Sequence, residues 1–378
     1  MADMIIERTD NSENAFLMDS APGAKTLING KECFYFGGTS YYELHKNEEV
    51  IRSAAEALKK YGIDSSSSRN SYGTTRLLLD VEKEAAEFFN CEDSVYLPSG
   101  FLTDLAAVQS IVNQNEIEAL FIDEDSHYSN DYAARISGKP VYRFAHMDVA
   151  DLEEKISKNI LPGQKMLVLT DGIFPVFGEI APVDKYSHLI EKYGGFLWVD
   201  DAHALGVLGD NGRGTHEHYK ISNAGYYFGG TLSKAFGGFG GIIPGNKKFI
   251  DDIKANHIHN GSTPPPSPAA AASLTGLKLV KSNPGMRSKL RDNAKRLKTG
   301  LTNIGVKVEQ SDVPIAAWTM NNKMVMQKLQ NKLMEKNIVI QFIQYVGAGE
   351  KGALRIVVFS SHTNDQIDYL VDELKKII

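Results

Sequence analysis

The sequence predicts an α/β protein: a mostly parallel sheet covered by helices, followed by a smaller α+β C-terminal domain. Three observations lead there. Short apolar, β-branched runs alternate with segments of helical period, the pattern of strands buried on both faces. Polar residues gather at the ends of those runs. The character of the chain changes after Pro284.

Residues 46–61 carry Val50, Ile51, Ala54, Ala55 and Leu58 at helical spacing, with Gly62 as a stop. A second helix is expected from about Val81 to Phe89. Val95–Leu97 reads as a strand and is followed by a helix through Leu105 and Val108. Ala119–Ile122 leads to a helix around Tyr132–Ala134, and Met166–Leu169 leads, after a loop, to a helix around Tyr186–Ile190. Phe196–Val199, Tyr226–Phe228 and Gly241–Ile243 are further buried strands. Beyond Pro284 come a basic helix (Arg287–Leu301), strands and a C-terminal helix. Thr363 and Gln366 form a capping box for that last helix, and its apolar side carries Ile367, Leu370, Val371 and Leu374. The expected division is an arm at 1–45, packing with the small domain, a large domain at 46–285 and the small domain at 286–378.

Composition excludes several classes. The 378 residues hold 41 basic and 47 acidic side chains, a formal net charge of −6, so no basic excess points to nucleic acid or an anionic membrane. The two cysteines, Cys33 and Cys91, make no disulfide or metal spacing, which fits a reduced, cytoplasmic protein. Met1–Arg8 lacks the basic-then-apolar layout of a signal peptide, and no apolar run reaches membrane-spanning length.

Chemistry is written most clearly around Lys234, in Gly229-Gly230-Thr231-Leu232-Ser233-Lys234-Ala235-Phe236-Gly237-Gly238. Upstream lies Val199-Asp200-Asp201-Ala202-His203, an acidic residue at a strand end. A lysine in a glycine-rich turn and a strand-end carboxylate are what pyridoxal phosphate requires. The amine forms a Schiff base with its aldehyde, and the carboxylate keeps its ring nitrogen protonated. Thr231, three residues before the amine, offers a hydroxyl to the same phosphate. Ser99-Gly100-Phe101 opens a helix, where free N–H groups and the helix dipole suit an anion, although alone Ser99 reads as an ordinary cap. His203 would bond the ring oxygen and His127 would stack on a flat ring; taken singly, His127 reads as structural. Asp200 and His203 form one short cluster with no matching second one, so no metal is expected. Arg355, on the strand Ala353–Phe359, would grip a carboxylate or make a solvent-facing salt bridge.

From Gly37 to the C-terminus these blocks, together with Arg69-Asn70-Ser71-Tyr72-Gly73-Thr74, Gly212-Arg213-Gly214 and Ser262-Thr263-Pro264-Pro265-Pro266 before Ala269–Ala272, resemble the α-oxoamine synthases. These are fold-type-I, pyridoxal-phosphate-dependent acyltransferases. The resemblance implies that Lys234 is the Schiff-base lysine and moves protons. It implies that Asp200 pairs with the ring nitrogen, His203 with the ring hydroxyl and His127 with the ring face. Ser99, Gly100, Phe101 and Thr231 would hold the cofactor, and Arg355 the carboxylate of an amino acid. The substrates would be an amino acid and an acyl thioester, on coenzyme A or an acyl-carrier protein. A homodimer would bring Ser262 and Thr263 to the partner's cofactor. Two positions depart from the family pattern. Thr39 stands where asparagine is usual, and Pro175 stands where a serine hydroxyl would lie near the cofactor. Phe177 makes that wall more apolar. These departures keep open an aminotransferase or an amino-acid lyase or aldolase. A cofactor-binding scaffold without turnover is the non-enzymatic alternative, against which the complete Lys234, Asp200 and His203 set speaks.

Overall fold

Asn29 and Gly30, with φ of 49° and 73°, make a two-residue turn between β1 (Lys25–Ile28) and β2 (Lys31–Tyr35). Positive φ at both positions is what this tight hairpin connection demands, and Asn-Gly tolerates it best. The structure, a computed structural model, describes residues 16–378. Met1–Arg8 and the rest of 1–15 lie outside the described residues. β2 continues the arm by pairing in parallel with a short strand near the C-terminal end of the chain, described below.

Two helices follow. α1 (Glu48–Tyr61) is capped by Asn47, whose side chain accepts from the Glu49 and Val50 N–H groups, and it ends at Gly62 with φ 73°. α2 (Arg76–Phe89) begins five residues before the expected Val81. Thr75 accepts from the Leu78 N–H, and Leu77, Leu78 and Val81 all enter the core, so the apolar stripe starts a turn earlier.

The central sheet contains β3 (Asp93–Leu97), β4 (Ile117–Asp123), β5 (Val141–Phe144), β6 (Lys165–Asp171), β7 (Phe196–Asp200), β8 (Tyr226–Thr231) and β9 (Gly241–Gly245), in the order β3-β9-β8-β7-β6-β4-β5. Only β9 runs against its neighbours. Between the strands come α3 (Gly100–Asn115), α4 (Tyr128–Ile136), α5 (Val149–Asn159) and α6 (Val183–Tyr193). Sheet pleating divides the core in two. Phe121, Met166, Val168, Leu197 and Val199 join the cluster on one face, while Leu120, Ile122, Leu167, Leu169 and Trp198 join the cluster on the other. Near-continuous apolar runs are therefore the expected signature, because both faces are covered.

β10 (Ile315–Trp318), β11 (Ile338–Val339), β12 (Gln341–Ile343) and β13 (Ala353–Val357) complete the strands. β13 lies between β10 and β12 in an antiparallel sheet, and β11 is the strand that β2 joins. Helices Gly285–Asn303, Lys323–Met334 and Asn364–Ile377 cover this region, with Leu297, Leu301, Leu329, Leu333, Leu370 and Leu374 buried among Leu354, Ile356 and Phe36. The capping box of Thr363 and Gln366 is present, and Ile367, Leu370 and Leu374 are fully buried, whereas Val371 is only partly so. Among the described residues no helix is long and apolar enough to cross a membrane.

Helix Ser267–Ser282 packs on both α1 and α2 and also touches the loop after β8. A Cβ at Gly276 would stand 1.8 Å from the Phe236 carbonyl oxygen, two residues beyond Lys234. Alanine would gain helix propensity of about 1 kcal/mol, yet the clash with backbone outweighs it. Gly276→Ala is expected to lose about 2 kcal/mol of stability, read as a lower midpoint in chemical denaturation.

Candidate active site

The parallel strands set their carboxyl ends side by side. In register, Asp171 of β6 faces Asp200 of β7, and Asp200 faces Gly229 of β8. Ligand sites of open α/β sheets lie beyond such ends. Here a cavity of about 210 Å³ is lined by Gly100, Phe101, His127, Asp200, His203, Thr231 and Lys234 among others. A second space of about 550 Å³ adjoins it and shares His127, Pro175, His203 and Lys234. It reaches Thr39, Val176, Phe342, Ile343, Tyr345 and Arg355.

At the first cavity's mouth, Ser99 caps α3 by accepting from the Phe101 N–H at 3.1 Å, and Ser99 itself does not line the space. Gly100 does, and a Cβ there would come within 3.0 Å of the Thr231 side chain. The Thr231 hydroxyl donates to the Gly240 carbonyl (2.8 Å) and meets Ser233 Oγ at 2.7 Å. A helix start, a glycine admitting close approach and clustered hydroxyls form a cradle suited to phosphate.

His127 caps α4. Its N–H donates to both carboxylate oxygens of Asp171 (3.1 and 3.3 Å), and its Nδ1 meets Ser129 Oγ at 2.6 Å. Asn130 donates to the same Asp171 oxygen at 3.1 Å. Asp200 accepts from the Ala202 N–H at 2.9 Å, and Tyr41 Oη meets His203 Nδ1 at 2.8 Å. Asp201, next in sequence, turns away and is bound by the Thr215 N–H (2.8 Å) and hydroxyl (2.9 Å). One of the paired acids therefore faces the cavity while the other staples the following loop.

Burial shapes the titration of these groups. It pushes the Lys234 amine down to about 8, against the pull of the Asp200 and Asp171 carboxylates. It lowers His203 well below the usual imidazole range, helped by the positive charges of Lys234 and Arg355, and lowers His127 as well. Asp171 and Asp104 are raised well above the carboxylate range, by burial first and by the Asp200 charge second.

Asp104 is one residue that sequence reasoning missed. It accepts from Trp198 Nε1 at 2.9 Å, and its other oxygen is buried without a hydrogen-bond partner among the described residues. Donor atoms of Asp104, His127 and Asp200 all lie within 4.8 Å of one another. The signal was present, because Asp104 is one helical turn beyond Gly100 and so shares its face. Tyr41 was also missed, and nothing local marks it.

Arg355 sits on the middle strand of its sheet, nearly buried, with no carboxylate partner among the described residues, so the solvent-facing salt bridge does not form. Its Nε donates to the Pro175 carbonyl (2.8 Å) and its Nη1 to Gln341 Oε1 (2.9 Å). Phe177 does not line this space. It packs against Val176, Ala348 and Ala353, and the apolar residues bordering this space are Val176, Phe342 and Ile343. Ser262 and Thr263 line neither cavity, and the Ser262 hydroxyl donates to the Ile258 carbonyl at 2.5 Å.

Residues 38–374 match the family described as aminotransferase class I and II. The chain belongs to this family. An 8-amino-7-oxononanoate synthase of Thermosipho melanesiensis is 31% identical over 362 residues, covering 95% of this chain and 92% of that protein. The Bacillus subtilis protein named 8-amino-7-oxononanoate synthase 1 is 29% identical over 365 residues, covering 95% and 91%. Among solved structures, a serine palmitoyltransferase of Sphingomonas wittichii shares the fold at 22% identity, with a TM-score of 0.90 over 96% of this chain and 92% of that one. An 8-amino-7-oxononanoate synthase of Francisella tularensis reaches a TM-score of 0.77 at 25% identity, over 91% and 97%. Within the aminotransferase class I and II family the protein is thus an α-oxoamine synthase, a pyridoxal-phosphate-dependent acyltransferase with the fold-type-I architecture. The residues present fit that cofactor: an amine of lowered proton affinity for the aldehyde, an acid for the ring nitrogen, and the cradle at Gly100 and Thr231 for the phosphate.

An amine near 8 loses its proton far more readily than an ordinary lysine. Capture of added pyridoxal phosphate by cofactor-free protein, followed by visible absorbance, should be half-maximal near pH 8. Asp200→Asn removes a charge that holds the lysine proton in place, so the midpoint should move to lower pH.

Proposed function

We propose that this protein joins an amino acid to an acyl thioester with release of thiol and carbon dioxide, giving an α-amino ketone, and that Lys234, Asp200, His203, His127 and Arg355 carry the reaction. The observation that supports this most is the meeting of two cavities at Lys234. One is small and holds Asp171, Asp200, His127 and His203. The other is larger, bordered by Val176, Phe342 and Ile343, and contains the buried Arg355, which has no carboxylate partner among the described residues.

Pyridoxal phosphate, when bound, supplies the electron sink that stabilises negative charge at the α-carbon of the amino acid. The rest is work for the protein's own groups. Asp200 stands as the acceptor for the ring-nitrogen proton, with its other partner, the Ala202 N–H, fixing its orientation. Lys234 takes the α-proton as its free base, a form that burial keeps accessible near neutral pH. Arg355 holds the substrate carboxylate through a fork already aimed by Pro175 and Gln341. His127, held through its backbone by Asp171, would cover the ring face. The apolar wall receives the acyl chain and keeps water from the reacting carbon.

Delivery of the acyl group by coenzyme A or by a carrier protein, and action as a cytoplasmic homodimer, belong to the same reading. Phe101, which borders the smaller cavity, and Tyr132 are exposed aromatic rings 5.9 Å apart. Ser262 and Thr263 would then serve the partner's site. The first donor to test is one whose product would be an 8-amino-7-oxononanoate, the product in the relatives' names.

Purified protein supplied with pyridoxal phosphate should release thiol from an acyl thioester only when an amino acid is present. Lys234→Ala should bring that release to background. Arg355→Ala should weaken amino-acid binding by about 2–3 kcal/mol, the loss of a charge-assisted pair, and should appear mainly in KM for the amino acid. Conversion of the cofactor to its amine form by an amino acid, with no thiol from any donor, would point to an aminotransferase.

A further inference from the structure

Tyr41 belongs to the arm, far from His203 in sequence, yet both side chains are buried against each other. The Tyr41 hydroxyl has His203 Nδ1, at 2.8 Å, as its one hydrogen-bond partner among the described residues. Burial raises the phenol's pKa, so it keeps its proton, and a buried O–H needs an acceptor. Burial, with the positive charges of Lys234 and Arg355 added, keeps the His203 imidazole neutral. A neutral imidazole has one N–H. If that proton sat on Nδ1, the phenol proton would have nowhere to go. Nδ1 is therefore the acceptor, and the proton sits on Nε2. Nε2 makes no hydrogen bond within the described chain, and His203 lines both cavities. The neighbouring Tyr42 hydroxyl donates to the Gly206 carbonyl at 2.5 Å, so the arm grips the His203 loop at two points.

We propose that Tyr41 is a positioning residue: its hydroxyl donates to Nδ1 of His203, fixes the ring proton on Nε2, and makes that nitrogen an obligatory donor to an anionic oxygen in the cavity. This rests on the reading that His203 faces the ring oxygen of pyridoxal phosphate. A donor there draws charge from that oxygen and so lowers the proton affinity of the nitrogen that joins the cofactor to Lys234.

The test uses the full-length chain with ¹⁵N-labelled histidine. The His203 signals are assigned by their loss in His203→Gln. In the cofactor-free wild type the ring nitrogens should report the Nε2–H form. Tyr41→Phe, which removes one oxygen, should shift the population toward Nδ1–H, while Tyr42→Phe should leave it unchanged. An Nδ1–H ring in the wild type, or an unmoved tautomer in Tyr41→Phe, would overturn the proposal. The wild-type spectrum decides the first point even if Tyr41→Phe folds poorly. In the loaded protein, Tyr41→Phe should keep its visible absorption but raise the pH midpoint of that band by about one unit, the size of one hydrogen bond to a charged group. An unmoved midpoint would overturn the link from tautomer to cofactor. Failure of the wild type to develop the band would instead sink the cofactor reading and leave the tautomer result standing.

Discussion

The site depends on strands that end together. β8, β7, β6 and β4 run the same way, so one sheet edge collects their last residues, and the register holds Asp171, Asp200 and Gly229 level with each other. β6, β7 and β8 each contribute one polar residue, Asp171, Asp200 and Thr231, to a common space, while the apolar bodies of the strands stay inside the two core layers. An antiparallel arrangement would send alternate ends to opposite edges. The single reversed strand, β9, shows the exception: it returns directly after the Lys234 loop and packs against β8 as a backstop.

That edge gathers three buried acids within reach of one amine. Asp104 and Asp171 are pushed toward their neutral forms by burial, and the Asp200 charge beside them adds to the effect. The cluster thus avoids stacking three negative charges in a dry space, which would be untenable. Neutral Asp171 would still accept from the His127 N–H and from Asn130, so its hydrogen bonds do not depend on charge.

Much of this was legible in the sequence because it is local. Runs of Val, Ile and Leu marked the strands of the sheet interior, and Gly-rich flanks marked the Lys234 turn. Features set by partners distant in sequence were not. β5 is four residues long, half-exposed and held by pairing with β4, so it has little pattern of its own. Asn29-Gly30 is a hairpin signal, but β1 buries alternate residues while placing Leu27 on its exposed face next to buried Thr26, so its sequence does not alternate polar with apolar. Arg355 read equally as an edge salt bridge until its strand was found in the middle of its sheet. Asp104 and Tyr41 act through Trp198 and His203, contacts that no local spacing announces. Pro175 was read as the loss of a hydroxyl. In the fold, what position 175 contributes is its backbone carbonyl, which a proline keeps.

That carbonyl has a consequence for how a substrate meets the protein. A free arginine side chain samples many rotamers, and ordering it on binding costs entropy. Here Pro175 and Gln341 have already stopped the motion, on Nε and Nη1, before any ligand arrives. The freezing cost was met during folding, so a carboxylate bound there, as proposed above, would find a stationary target and keep more of its own interaction energy as affinity. The same tether narrows what can be greeted well: an anion must come to the guanidinium at the angle the fold has left open, because the guanidinium will not swing to meet it.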